Sequence, residues 1–123
     1  MGKHLTLMAK LSFTEGTWRK DPWFRDLCSA LASCKTAEEV ADFLRDVGTL
    51  SELKAWSERW AVANHVAAGR TYRAITAKTG ASTTTVTRVA RFLQSGEGGY
   101  RRILARRNHH HHLTSSRGER MVP

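Results

Sequence analysis

Hydroxyl side chains are concentrated in one short stretch of this chain, "ASTTTVTR", residues 81–88. Threonine is a poor helix former, and each one costs roughly 0.5 kcal/mol relative to alanine inside a helix. Short hydroxyl side chains, however, let a backbone approach DNA closely, hydrogen bond to base edges and contact thymine methyl groups. The stretch therefore predicts base contacts in a DNA major groove by Ser82, Thr83, Thr84 and Thr87. The other interpretation is an exposed threonine-rich turn that has no partner.

Basic and hydroxyl side chains on either side of these positions have the chemistry of phosphate contacts. Guanidinium and ammonium groups neutralise phosphates, and hydroxyl groups and helix N-termini hydrogen bond to them. The residues predicted for this role are Arg70, Thr71, Tyr72, Arg73, Lys78, Thr85, Arg88 and Arg91. Such contacts fix the position of a protein on DNA without reading the sequence.

The distribution of charge supports a polyanionic partner. Residues 1–60 hold nine basic and nine acidic side chains, whereas residues 61–123 hold eleven basic and two acidic ones. The whole net charge of +9 therefore lies in the second half of the chain. This asymmetry predicts double-stranded DNA as the partner rather than a membrane, since no apolar run approaches the roughly 20 residues that span a bilayer. A solvated basic face is the alternative, but such faces usually mix both signs of charge.

Start and stop signals predict an all-α fold of about six helices, and no alternating apolar run predicts a strand. The predicted N-caps are Asp21 before Pro22, Thr36 with Glu39 in a capping box, Thr71, and Ser82. Apolar residues at helical spacing place Leu50, Trp56 and Ala63 on the buried face of the longest helix. The predicted organisation is a flexible arm at 1–17, a helical domain at 18–107 and a disordered tail at 108–123.

Residues 71–94 fit a helix-turn-helix. Ile75 faces inward on the first helix, and Val86 and Val89 face inward on the second. Gly80 lies in the turn, where a left-handed backbone costs glycine little. Thr76 occupies a position that is usually alanine because the two helices approach closely there, and its small side chain is tolerated. The short connection "GAS" fixes a steep angle between the helices.

The segment "RWAVANHVAAGRTYRAITAKTGASTTTVTRVARFL" with the following "GEGGY" resembles the Trp-repressor-like family, and within it the small YerC/YecD-type proteins. The matching pattern is "GxTYxxI", "TGASTxTxxRVxRxL" and "GxxGY", and the resemblance extends from Leu31 to Leu104. It implies an intertwined helical homodimer whose two helix-turn-helix heads reach successive major grooves, about 34 Å apart. A tight monomer is the alternative. The four tryptophans, all within the first 60 residues, favour the dimer because a small monomer needs less apolar bulk.

The resemblance also raises the question of an effector. In the Trp repressor two arginines embrace tryptophan, and Arg59 and Arg88 match their positions. A glycine follows the second arginine there and leaves a slot for the indole ring, whereas Val89 follows it here and would fill that slot. We therefore expect no tryptophan co-repressor and no other cofactor. An ion pair for Arg59 and a phosphate contact for Arg88 are the alternative roles.

Other chemistry is not indicated. His109–His112 form a run that metals can bind, but no cysteine or carboxylate accompanies it, so no metal site is predicted. Cys28 and Cys34 are too few for a disulfide framework and predict core residues in a reducing, cytoplasmic compartment. No catalytic constellation is present, which predicts that the protein is not an enzyme.

The sequence thus predicts a sequence-specific DNA-binding transcriptional regulator, acting as a homodimeric repressor on the nucleoid of a bacterial cell. The alternative is a non-specific nucleoid-associated protein, or a protein-interaction module, that keeps the helix-turn-helix fold.

Overall fold

The computed structural model describes residues 13–108. A 3₁₀ turn at Trp18–Lys20 precedes six helices. These are α1 (Pro22–Ser33), α2 (Ala37–Val47), α3 (Leu50–Ala67), α4 (Tyr72–Thr79), α5 (Thr83–Ser95) and α6 (residues 99–108). No strand occurs between residues 13 and 108, and the predicted all-α fold is confirmed. Most of the predicted arm, at 1–12, and the predicted tail from residue 109, with His109–His112, lie outside the described residues.

Side-chain caps begin four of the helices where the sequence predicts them. The cap oxygens of Asp21, Thr36, Thr71 and Ser82 each accept a hydrogen bond from the backbone N–H three residues later. Each such cap stabilises its helix by about 1 kcal/mol. The predicted capping box differs in one detail, because the Glu39 carboxylate accepts from the N–H of Lys35, at 2.5 Å, one residue before the cap.

Two compact units divide the chain near residue 50. In the first, the Phe24 ring packs edge-on against Phe13 and Trp18, with ring centroids 5.8 and 5.7 Å apart. No apolar side chain among residues 13–50 is buried, although α1 and α2 are amphipathic. Trp23 and Leu50 are 66% and 65% exposed. A single chain therefore covers the apolar faces of this unit only in part.

The second unit has a buried core to which the helix-turn-helix contributes most of the residues. The core consists of Val62, Ala63, Ile75, Ala81, Val86 and Val89, with Trp60, Val66, Leu93 and Tyr100 packed against it. The inward positions predicted for Ala63, Ile75, Val86 and Val89 are confirmed. Trp56, predicted on the buried face of α3, is 42% exposed in the single chain.

None of the helices within residues 13–108 combines the length and the apolar composition needed to cross a membrane.

Candidate nucleic-acid interface

The turn between α4 and α5 is built by short local interactions. Gly80 has φ +76°, a left-handed conformation that ends α4, and its N–H donates to the carbonyl of Thr76 at 3.0 Å. The Thr79 hydroxyl donates to the carbonyl of Ile75 and accepts from the N–H of Ala81, which is buried. Thr76, which replaces the usual alanine, turns its hydroxyl back to the carbonyl of Arg73 at 2.9 Å. The hydroxyl of Thr76 is thus hydrogen bonded at the position where the two helices approach each other closely.

The outer surface of α5 carries a shallow groove of about 520 Å³. Its lining residues are Thr83, Thr84, Thr87, Arg88, Arg91 and Phe92. Three of the predicted base contacts and two of the predicted phosphate contacts therefore lie together on one helix face. Hydroxyl and guanidinium groups at a helix N-terminus can donate hydrogen bonds to base edges and phosphates.

The hydroxyl groups of this stretch are not equivalent. The Thr87 hydroxyl donates to the carbonyl of Thr83 at 2.9 Å, and the Ser82 hydroxyl is engaged with Thr85 as the helix cap. Thr83 and Thr84 make no side-chain hydrogen bond to any residue between 13 and 108, and both are exposed. Only these two hydroxyls have both their proton and their lone pairs available, which the sequence alone did not reveal.

Five of the other predicted phosphate contacts lie at or near α4, whereas Thr85 lies on α5 and lines the larger cavity described below. Arg70, Thr71, Tyr72, Arg73 and Lys78 are all exposed. The Thr71 hydroxyl accepts from the N–H of Ala74 at 3.1 Å, so it can still donate its proton to a phosphate. None of these five residues lines the groove on α5. They form a second group of cationic and hydroxyl side chains around the N-terminus of α4, with Lys78 in its last turn.

A larger cavity, of about 810 Å³, lies between α3, α5 and α6. Arg59 and Arg88, the two residues that the resemblance matches to effector-binding arginines, both line it, and the buried Val89 forms part of its wall. The Trp60 and Tyr100 rings stack at its edge with centroids 6.2 Å apart, and the Arg88 guanidinium lies 5.8 Å from the centroid of the Phe92 ring. Phe92 and Tyr100 also line the cavity. Residue spacing did not predict this because the packing of α6 brings Tyr100 to the space beside Phe92.

Positive charge dominates the second unit. Residues 51–108 contain eleven lysines and arginines, and their acidic residues are Glu52, Glu58 and Glu97. No group of histidine, cysteine and acidic side chains between residues 13 and 108 has the arrangement of a metal site. The net positive charge of this unit favours anions over cations at its surface.

Comparison with known proteins places the chain among helix-turn-helix proteins. Residues 23–108 match the family described as Trp repressor protein. The uncharacterized protein YerC of Bacillus subtilis is 35% identical over 91 residues, which span 74% of this chain and 88% of that protein.

Two solved structures have the same fold. A TrpR-like protein from Eubacterium eligens has a TM-score of 0.67 and 41% identity, over 69% of this chain and 88% of that chain. A candidate Trp repressor from Staphylococcus aureus has a TM-score of 0.66 and 38% identity, over 68% of this chain and 84% of that one.

Proposed function

Because the chain belongs to the Trp repressor protein family, we propose that it is a sequence-specific DNA-binding repressor that acts as a homodimer in the bacterial cytoplasm. The family consists of helix-turn-helix regulators rather than enzymes. The observation that carries the proposal is the exposed N-terminus of α5, where Thr83 and Thr84 hold free hydroxyls beside Arg88 and Arg91. Bound across a promoter, such a dimer would exclude other proteins from it.

The homodimer is supported by the apolar surface that a single chain leaves exposed. Phe13, Trp23, Val47, Leu50 and Trp56 are each more than 40% exposed. Contiguous exposed apolar surface marks an interaction site in soluble proteins. A second copy that covers these faces would give α1 and α2 the core that they lack, and it would present two helix-turn-helix heads to two half-sites.

Thr84 and Arg73 are expected to have separable roles. Thr84→Ala should change which bases are preferred at one position of each half-site, since a lost direct contact costs about 1–3 kcal/mol there. Arg73→Ala should weaken binding equally on all sequences and lower the slope of log K against log salt by about 1. Both effects are measured by fluorescence anisotropy on a set of duplexes over a range of salt concentrations.

Thr84→Ser is the matched control, because it keeps the hydroxyl and removes only the methyl group. It should retain more of the base preference than Thr84→Ala. If Thr84→Ala and Arg73→Ala lower affinity by the same factor on every duplex, the division between base contact and phosphate contact is wrong.

The arginines of α6 are expected to add sequence-independent affinity. Residues 99–108 contain four arginines and no acidic residue. Arg102 donates to the carbonyl of Glu97, and the Arg107 guanidinium lies over the Trp60 ring. Arg101 and Arg106 make no hydrogen bond or ring contact within the described residues. Replacing Arg101 and Arg106 by glutamine should lower the salt slope by about 2 and leave sequence preference unchanged.

The matched control is the double variant Lys20→Gln with Lys54→Gln, which removes the same charge from exposed sites outside α6. An equal loss of slope in both double variants would mean that only net charge matters. In that case α6 has no contact with DNA.

For the effector, we propose that the cavity beside Arg59 and Arg88 does not take tryptophan. Val89 lies on its wall, at the position where the resemblance implies a glycine beside the slot for the indole ring. A branched side chain that fills such a slot would cost more than a single contact gains. The base preference of the protein should therefore not depend on added tryptophan.

A further inference from the structure

The end of α3 forces two particular side chains together. Gly69 has φ +79°, its N–H donates to the carbonyl of Val66 at 3.0 Å, and the N–H of Arg70 donates to the carbonyl of His65 at 3.2 Å. This pair of hydrogen bonds is the Schellman arrangement of a helix C-terminus. In that arrangement the residue after the glycine meets the residue five positions before it, usually through an apolar contact. Here those residues are Arg70 and His65.

The contact between them is polar. The Nη1 atom of Arg70 meets the Nδ1 atom of His65. Since a guanidinium group has no acceptor, Arg70 donates and Nδ1 accepts, which is possible only for a neutral imidazole with its proton on Nε2. His65 is half-buried, whereas Arg70 is exposed. The half-buried side chain therefore holds the exposed one.

We propose that His65 is a positioning residue that holds the Arg70 guanidinium ready for a DNA phosphate. The inference rests on the proposed DNA-binding function and adds a residue to it. Arg70 immediately precedes Thr71, the N-cap of α4, and the N-terminus of that helix itself favours phosphate. A guanidinium group has five N–H donors, and the bond to His65 leaves the others available for a bidentate phosphate contact.

The benefit is pre-organisation. A free arginine side chain loses much rotational freedom when it binds a phosphate, and a side chain already held loses less. The backbone turn at Gly69 contributes to this contact because it sets the distance between the side chains of His65 and Arg70. His65 itself need not contact DNA for its loss to weaken binding.

The test is a double-mutant cycle on DNA affinity. The full chain, H65L, R70Q and H65L/R70Q are titrated against one duplex of random sequence by fluorescence anisotropy at fixed salt. H65L should weaken binding by roughly two- to tenfold. In the R70Q background, H65L should have no further effect. H65N should bind nearly as well as the unaltered protein, since the asparagine oxygen occupies the place of Nδ1.

H65Q is the matched variant, because it carries the same amide with the oxygen one bond further out. It should bind less tightly than H65N, and this comparison carries the test if H65L does not fold. If H65L binds as well as the unaltered protein, or weakens R70Q as much as it weakens the parent, the positioning role is overturned while DNA binding stands. Failure of the unaltered protein to bind any duplex would overturn the proposed function and this inference together.

Discussion

Replacing Trp23 and Leu50 together by glutamate is expected to convert the protein into a monomer whose DNA affinity is lower by roughly 10²- to 10⁴-fold. Both side chains are about two-thirds exposed in a single chain, and no apolar side chain among residues 13–50 is buried. Two carboxylates on this surface would have to be desolvated in a dimer, which is costly without a paired cation. A monomer would bind each half-site separately and lose the gain that comes from two linked heads.

The measurement is sedimentation velocity for the oligomeric state, followed by titration of a DNA duplex that carries both half-sites. Ser29→Glu with Ser51→Glu is the matched control, since it makes the same charge change on exposed polar positions of the same two helices. The control should remain dimeric. A parent protein that sediments as a monomer, or a Trp23 and Leu50 double variant that stays dimeric, would show that these faces are not the dimer interface.

Ile75→Ala is expected to reduce the free energy of unfolding by about 2–5 kcal/mol, a large share of the stability of a small domain. Ile75 is fully buried on α4 and belongs to the core that α4 and α5 share with the end of α3. The truncation leaves a cavity that the surrounding backbone fills only in part. Because this core holds α5 in place, DNA affinity should fall as the population of the folded helix-turn-helix falls.

Urea denaturation followed by circular dichroism measures the change, and Ile75→Val is the graded control, expected to cost about 0.5–1.5 kcal/mol. Equal costs for the two variants would mean that the site collapses around the truncated side chain. The helix-turn-helix would then be held by something other than this core.

The elements that could be predicted from the sequence are those specified by neighbouring residues. Asp21, Thr71 and Ser82 cap helices because each needs only a backbone N–H three residues along the chain. Gly80 ends α4 because a left-handed conformation costs glycine little. The inward positions Ile75 and Val86 follow from helical period alone. Interactions between residues close together in the sequence therefore specify the helix-turn-helix almost completely.

What the sequence could not predict depends on contacts between distant residues. Val62 and Ala81 are buried because α3 and α5 pack together, and neither belongs to the apolar pattern of its own segment. Trp56 follows the apolar period of α3, yet it is 42% exposed, because a helical period does not specify which residues cover the apolar face. The cavity lined by Phe92 and Tyr100 likewise exists only once α6 is packed.

The candidate site shows the same division. Residue types and spacing predicted which hydroxyls would face DNA, but the distinction between Thr87 and the pair Thr83 and Thr84 comes from a hydrogen bond to a backbone carbonyl. The contact between His65 and Arg70 is visible in sequence only as a separation of five residues. The left-handed turn at Gly69 brings the two side chains together.

Selection from a pool of randomised duplexes, at moderate salt and with the unaltered protein, tests the central claim most directly. A homodimeric sequence-specific regulator should enrich a two-fold-symmetric motif whose half-sites lie about one helical turn apart, roughly 34 Å. Thr84→Ala should enrich a motif altered within each half-site. A pool that stays flat while the protein still retains DNA would contradict sequence-specific binding and would support a non-specific nucleoid-associated protein.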